Sequence, residues 1–174
     1  AALSYQVSRC PISQRLKQLQ AAKVQAQQLV TFDDNDLLSR IFIVSLGIEY
    51  FKIDQKEEAI ASYDKALEYN PENYVAWCSR GITLSVLGLK EEAIASCDKA
   101  LVYNPEFHEA WYIRGVALSG LGRNEEAIAS YDKAIELKPD YHEALSRQGV
   151  ALAILGRNEE AIASCDKAIE LKPD

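Results

Sequence analysis

Proline stands at positions 71, 105, 139 and 173, each 34 residues after the last. A fixed period of about 20–50 residues is the mark of stacked units, none of which can bury its apolar face without a neighbour. The same beat carries other residues. Gly47, Gly81, Gly115 and Gly149 share one phase, Ala59, Ala93, Ala127 and Ala161 a second, and Ala66, Ala100, Ala134 and Ala168 a third. Small residues in fixed places are what two closely crossing helices need, because larger side chains would hold the backbones apart. Glycine inside a helix costs about 1 kcal/mol against alanine, so its return in every unit predicts close backbone approach.

Each unit reads as helix, turn, helix. From Val75 to Leu87 the apolar residues recur at helical spacing, and Gly88 then supplies the left-handed conformation that ends a helix. A second helix begins near Glu91 and Glu92, whose carboxylates complement the positive end of its dipole. It stops at Asn104-Pro105, because the residue before proline disfavours helix. Gly122 and Gly156 repeat the turn signal, and Asp54 stands in its place in the first unit.

Trp77, Gly81, Leu84, Ala93, Ala100 and Pro105 stand at the spacing of the tetratricopeptide repeat, and Trp111, Gly115, Leu118, Ala127, Tyr131, Ala134 and Pro139 do so again. Ile43, Gly47, Tyr50, Ala59, Tyr63, Ala66 and Pro71 make a first unit with Ile for the aromatic. Leu145, Gly149, Leu152, Ala161, Ala168 and Pro173 make the last. The chain therefore resembles that family over residues 40–174, in units 40–73, 74–107, 108–141 and 142–174. The resemblance implies an all-α, right-handed superhelical solenoid whose first, or A, helices line a concave groove. One position departs from it. The family usually has Leu just before the A-helix glycine, and this chain has Leu46, Arg80, Arg114 and Gln148.

Residues 123–140 and 157–174 differ only in Tyr131 against Cys165, a closeness that resembles the long, near-identical arrays of bacterial multi-repeat proteins. The last unit has no further helix to cover its outer face, whereas solenoids normally need a polar terminal cap. Ile162, Cys165 and Ile169 are the candidates for that open, self-associating face. With no Met and a start at Ala1, the chain is expected to be a piece of a larger protein, or a unit that covers its end by self-association.

Residues 1–39 fall outside the beat. Pro11 suits a first helical turn, and Ile12, Leu16, Leu19, Ala26 and Val30 lie beyond it on one stripe, broken by Lys23, with Gln and Lys opposite. Such an amphipathic helix needs a partner surface. A cap on the first unit is the plain expectation; a short coiled coil and a segment lying in the array's own groove are the alternatives. Thr31 to Asp36 reads as a polar link, with Asn35 or Asp36 capping the next helix.

Composition narrows the function. Lys and Arg number 19 against 26 Asp and Glu, a formal charge of −7, and no basic stripe interleaves with aromatics, so nucleic acid is disfavoured as a ligand. No apolar run approaches a membrane span, and no signal-peptide pattern opens the chain. Cys10, Cys78, Cys97 and Cys165 lack zinc-site pairing, Cys97 and Cys165 are two units apart, and free thiols of this kind suit a reducing, cytoplasmic setting. His108 and His142, 34 residues apart and each followed by Glu-Ala, read as helix-start residues. The Glu pairs 57–58, 91–92, 125–126 and 159–160 are dipole partners, since adjacent helical residues do not face each other. Asp33, Asp34 and Asp36 lack the rest of a calcium loop, and every glycine but Gly120 belongs to the repeat grammar. Neither a catalytic constellation nor a cofactor or metal site emerges, so the chain is expected not to be an enzyme.

Function then falls to the groove that the resemblance implies. Its phase assigns Val44, Ile48, Cys78, Ser79, Ile82, Glu109, Tyr112, Ile113, Val116, Ser146, Arg147 and Val150 to the lining. Relatives that clamp a partner's terminal carboxylate place Lys, Asn and Arg where this chain has Val44, Ile48, Ser79, Glu109 and Ile113. A clamp is therefore not expected. An apolar lining with Tyr112 at its centre suits a partner protein's amphipathic helix or extended apolar segment. The alternative is a structural spacer, or a homo-oligomer joined through the uncapped last unit.

Overall fold

A computed structural model describes residues 14–18, 20–21, 24 and 37–172. Consecutive antiparallel helices fill it: α1 (Leu37–Lys52), α2 (Lys56–Tyr69), α3 (Tyr74–Val86), α4 (Lys90–Tyr103), α5 (His108–Gly120), α6 (Asn124–Leu137), α7 (His142–Ile154) and α8 (Asn158–Leu171). Each packs on the next in sequence, and the A helices α3, α5 and α7 also touch one another along one side. No strand is present among the described residues.

The recurring residues make the recurring structure. Gly88, Gly122 and Gly156 have φ of 83°, 78° and 76°, and Asp54 takes the same left-handed position at 66°. The turn is closed by a six-to-one backbone bond, Leu89 N–H to the Leu84 carbonyl at 3.0 Å and Arg123 N–H to that of Leu118 at 3.0 Å. Glutamates occupy the first turn of every B helix, from Glu57 and Glu58 in α2 to Glu159 and Glu160 in α8. At the other end, Trp77 and Trp111 each donate the indole N–H to a proline-turn carbonyl, that of Pro71 and Pro105, both at 2.8 Å. That bond ties the aromatic phase of the sequence to its proline phase.

The A-helix glycines sit where the two helices of a unit cross. A Cβ on Gly47 or Gly115 would lie 2.5 Å from the Tyr63 or Tyr131 ring, and one on Gly81 or Gly149 would meet the sulfur of Cys97 or Cys165. Tyr63 and Tyr131 thus alternate with cysteine over the same glycine. The alanine phases are buried, Ala59, Ala93 and Ala127 completely. The core runs along the array in three clusters, and Leu16 packs against the first, which holds Ile43, Leu46, Tyr50 and Tyr63. Of the N-terminal stripe, Ile12, Leu19, Lys23, Ala26 and Val30 lie outside the described residues, as do Cys10, Pro11, the link 31–36, Pro173 and Asp174.

Candidate functional site

The A helices present the residues assigned to the groove in three ways. Val44 and Cys78 are buried in the packing of the first and second units, so their side chains are not on offer to a ligand. Ile48, Ser79, Ile82, Glu109, Tyr112, Ile113 and Val116 are half-buried, and Ser146, Arg147 and Val150 are exposed. Val116 on α5 and Arg147 and Val150 on α7 come together around a cavity of about 280 Å³, completed by Ser85, Lys90, Ser119, Gly120 and Tyr131.

Tyr112 belongs to an aromatic series that the period alone did not reveal. Its ring lies 5.0 Å from that of Tyr141 and 6.2 Å from that of Tyr131. Tyr141 in turn meets His108 edge-on at 5.3 Å, and Phe107 meets Tyr74 at 5.0 Å. Phe107 and Tyr141 occupy the cap position just before α5 and α7, 34 residues apart, which is the signal that could have marked them. Offset and edge-on pairs of this kind add about 0.5–1.5 kcal/mol each to the burial they bring.

At the N-terminal ends of the A helices, Glu109 holds one shielded carboxylate oxygen 3.1 Å from His108 Nδ1, without the alignment of a hydrogen bond. Burial, and after it this carboxylate, push the Cys78 thiol up to about 12, and burial raises Cys97 as well. Both thiols are therefore protonated near neutrality and poor nucleophiles. Lys90, at the start of α4, and Arg147, midway along α7, both border the cavity. Lys90 reaches across the unit boundary to donate from Nζ to the Gly120 carbonyl at 2.7 Å. Neither Lys90 nor Gly120 could be assigned from groove phase, because one lies on a B helix and the other breaks the glycine pattern.

The outer face of the last unit is apolar. Ile162 and Ile169 are each 61% exposed and Cys165 is half-buried, whereas the equivalent Ile128 of the preceding unit is 6% exposed. Among the described residues, no group of three His, Cys, Asp or Glu is placed to hold a metal ion, and no helix is long and apolar enough to cross a membrane.

Three tetratricopeptide repeat family models match the chain, one at residues 87–142 and 117–174, the others at 44–73 and 62–95. Its structure is similar to the crystal structure of MamA, with a TM-score of 0.77 and 25% identity over 89% of this chain and 86% of that one. It is also similar to the first TPR domain of human RPAP3, with a TM-score of 0.66 and 28% identity over 69% of this chain and 94% of that one. The first TPR of Spaghetti (RPAP3), bound to the HSP90 peptide SRMEEVD, gives a TM-score of 0.68 at 28% identity, over 70% of this chain and 96% of that one. No curated protein sequence matches the chain.

Proposed function

This chain belongs to the tetratricopeptide repeat family, with its right-handed superhelical solenoid, and we propose that its groove holds an apolar helix or extended segment of a partner protein. The reading rests on one observation. Ile82, Tyr112, Ile113, Val116 and Val150 lie along neighbouring A helices with their side chains incompletely buried. Aromatic anchors beside apolar residues are where binding energy concentrates in protein interfaces. The bound peptide of the RPAP3 domain supports a peptide-sized ligand for an array of this length. Its chemistry need not carry over, because the clamp positions here are Val44, Ile48, Ser79, Glu109 and Ile113. In this reading the chain recruits and does not catalyse.

Selection of peptides from a displayed random library tests it. Enriched peptides should carry apolar residues at helical or alternating spacing, and Tyr112→Ala and Val116→Glu should weaken their binding about tenfold or more. Peptides that bind both variants as tightly as the parent place the ligand elsewhere and end the groove reading.

The exposed Ile162 and Ile169 favour a second reading, self-association through the outer face of α8. Light scattering decides it: a monomer at high concentration excludes this mode.

A further inference from the structure

Gly120 is the one glycine outside the repeat grammar, and the equivalent positions hold Lys52, Val86 and Ile154. Its bare backbone has an effect across the unit boundary. A Cβ there would lie 2.7 Å from Lys90 Cε and 2.9 Å from Nζ, so only glycine leaves room for the lysine to lie over the end of α5. There Nζ donates to the Gly120 carbonyl at 2.7 Å, where the last carbonyls of a helix lack partners and its dipole is negative. An ammonium has three donors, and this bond uses one.

The same lysine borders the cavity, and Arg147 borders it from α7. Arg147 has no hydrogen bond or ion pair among the described residues. Ser119 directs its hydroxyl to Asn124 Oδ1 at 3.2 Å, and Ser85 and Tyr131 are the other hydroxyl-bearing residues of the lining. No carboxylate lines this space, in a chain with 26 acidic against 19 basic residues. At about 280 Å³ it is at or below the lower limit of small-molecule pockets and suits a single side chain.

We propose that this cavity is an anion subsite of the groove, taking the side-chain carboxylate of an Asp or Glu of the bound segment between Lys90 and Arg147. Val116 and Val150 pack its methylene stem. A segment that lies on both valines, which belong to neighbouring A helices, crosses the cavity and presents a side chain to it; it does not end there. The proposal rests on the groove reading for its biological ligand, but its chemistry can be tested without a partner.

The experiment is a titration of the whole chain at low salt, followed by amide NMR shifts, with two probes. N-acetylglutamate N-methylamide carries only a side-chain carboxylate, and N-acetylalanine only a chain-end one. The first should saturably shift the amides of Ser85, Val116, Ser119 and Val150. Its dissociation constant should rise about fivefold in Lys90→Gln and in Arg147→Gln. Gly120→Ala should do the same by displacing the ammonium, with helix content and melting no lower than in the parent. Shifts that persist unchanged in all three variants, or no saturable shift at those amides, overturn the subsite. Tighter binding of N-acetylalanine overturns the side-chain assignment. A groove that fails the peptide test while the carboxylate still titrates separates the two ideas.

Discussion

Arg114 reaches back sixteen residues, across a unit boundary, to donate from Nε to Asp98 Oδ1 at 2.7 Å. Its Nη1 donates sixteen residues forward to Ser130 Oγ, also at 2.7 Å. Arg80 repeats the arrangement with Asp64 and Ser96, and Gln148 donates from Nε2 to Asp132 while its Oε1 accepts from the Ser164 hydroxyl. The position where the family usually carries Leu is here a polar clasp that fastens each unit to the one before.

Replacing Arg114 by Leu tests the clasp. Ser130 is fully buried but keeps its bond to the Glu126 carbonyl at 2.9 Å, so the substitution orphans no donor. Asp98 is about half exposed, which limits the value of the ion pair. Arg114→Leu should cost about 1 kcal/mol in urea unfolding, and adding Asp98→Ala should cost little more. Fully additive losses would show that the two residues do not act together.

Glycines of the two kinds should respond oppositely to alanine. At Gly115 the new methyl meets the Tyr131 ring at 2.5 Å, inside a packed crossing, and the expected loss is about 1–3 kcal/mol. At Gly120 it meets only the mobile end of Lys90, and φ there is not positive, so Ala should be neutral or stabilise α5 by up to about 1 kcal/mol. Thermal melts of the two variants give the contrast directly.

Much of the fold is legible in the sequence because the repeat imposes one environment on each phase. Gly88 predicts a left-handed turn and Gly47 a close crossing, and both are determined by local geometry that recurs along the array. Arg80 and Arg114 stand out as departures, yet their partners lie on different units, at a register that only the stacking of helices sets. The Lys90–Gly120 contact is further from reach. Among the described residues it occurs at one boundary, so no periodicity announces it. Burial of Val44 and Cys78 escapes the groove phase because a family's phase is an average, whereas the depth of one side chain depends on its neighbours.

Alkaline pH should weaken the fold. Burial pushes the Tyr63 hydroxyl up to about 12, against the opposing pull of bonds with Thr83 and Ser79, and burial raises Tyr50 and Tyr131 as well. A phenol held neutral in the fold ionises more readily once unfolded. Its contribution is therefore complete below about pH 10 and is lost as pH rises through about 12. Melting temperatures should hold level to about pH 10 and then fall, and Tyr63→Phe should make the fall shallower. An unchanged slope in the variant would remove Tyr63 from the cause.

Ile128 and Ile162 have the same place in successive units, within the same local sequence, and differ in whether another helix pair stacks over them. Ile128 is 6% exposed beneath the next pair, and Ile162 is 61% exposed on the outer face of α8. Truncating a buried Ile removes transfer energy and leaves a cavity, so Ile128→Ala should cost about 2–5 kcal/mol. Ile162→Ala should stay within about 0.5 kcal/mol for a monomer. If copies of the chain cover one another at α8, the cost of Ile162→Ala instead grows with protein concentration, because the assembled state is favoured by mass action. Chemical unfolding of both variants at two concentrations about a hundredfold apart separates the outcomes: a constant small effect at Ile162 leaves the face open, and a rising one closes it with a second copy.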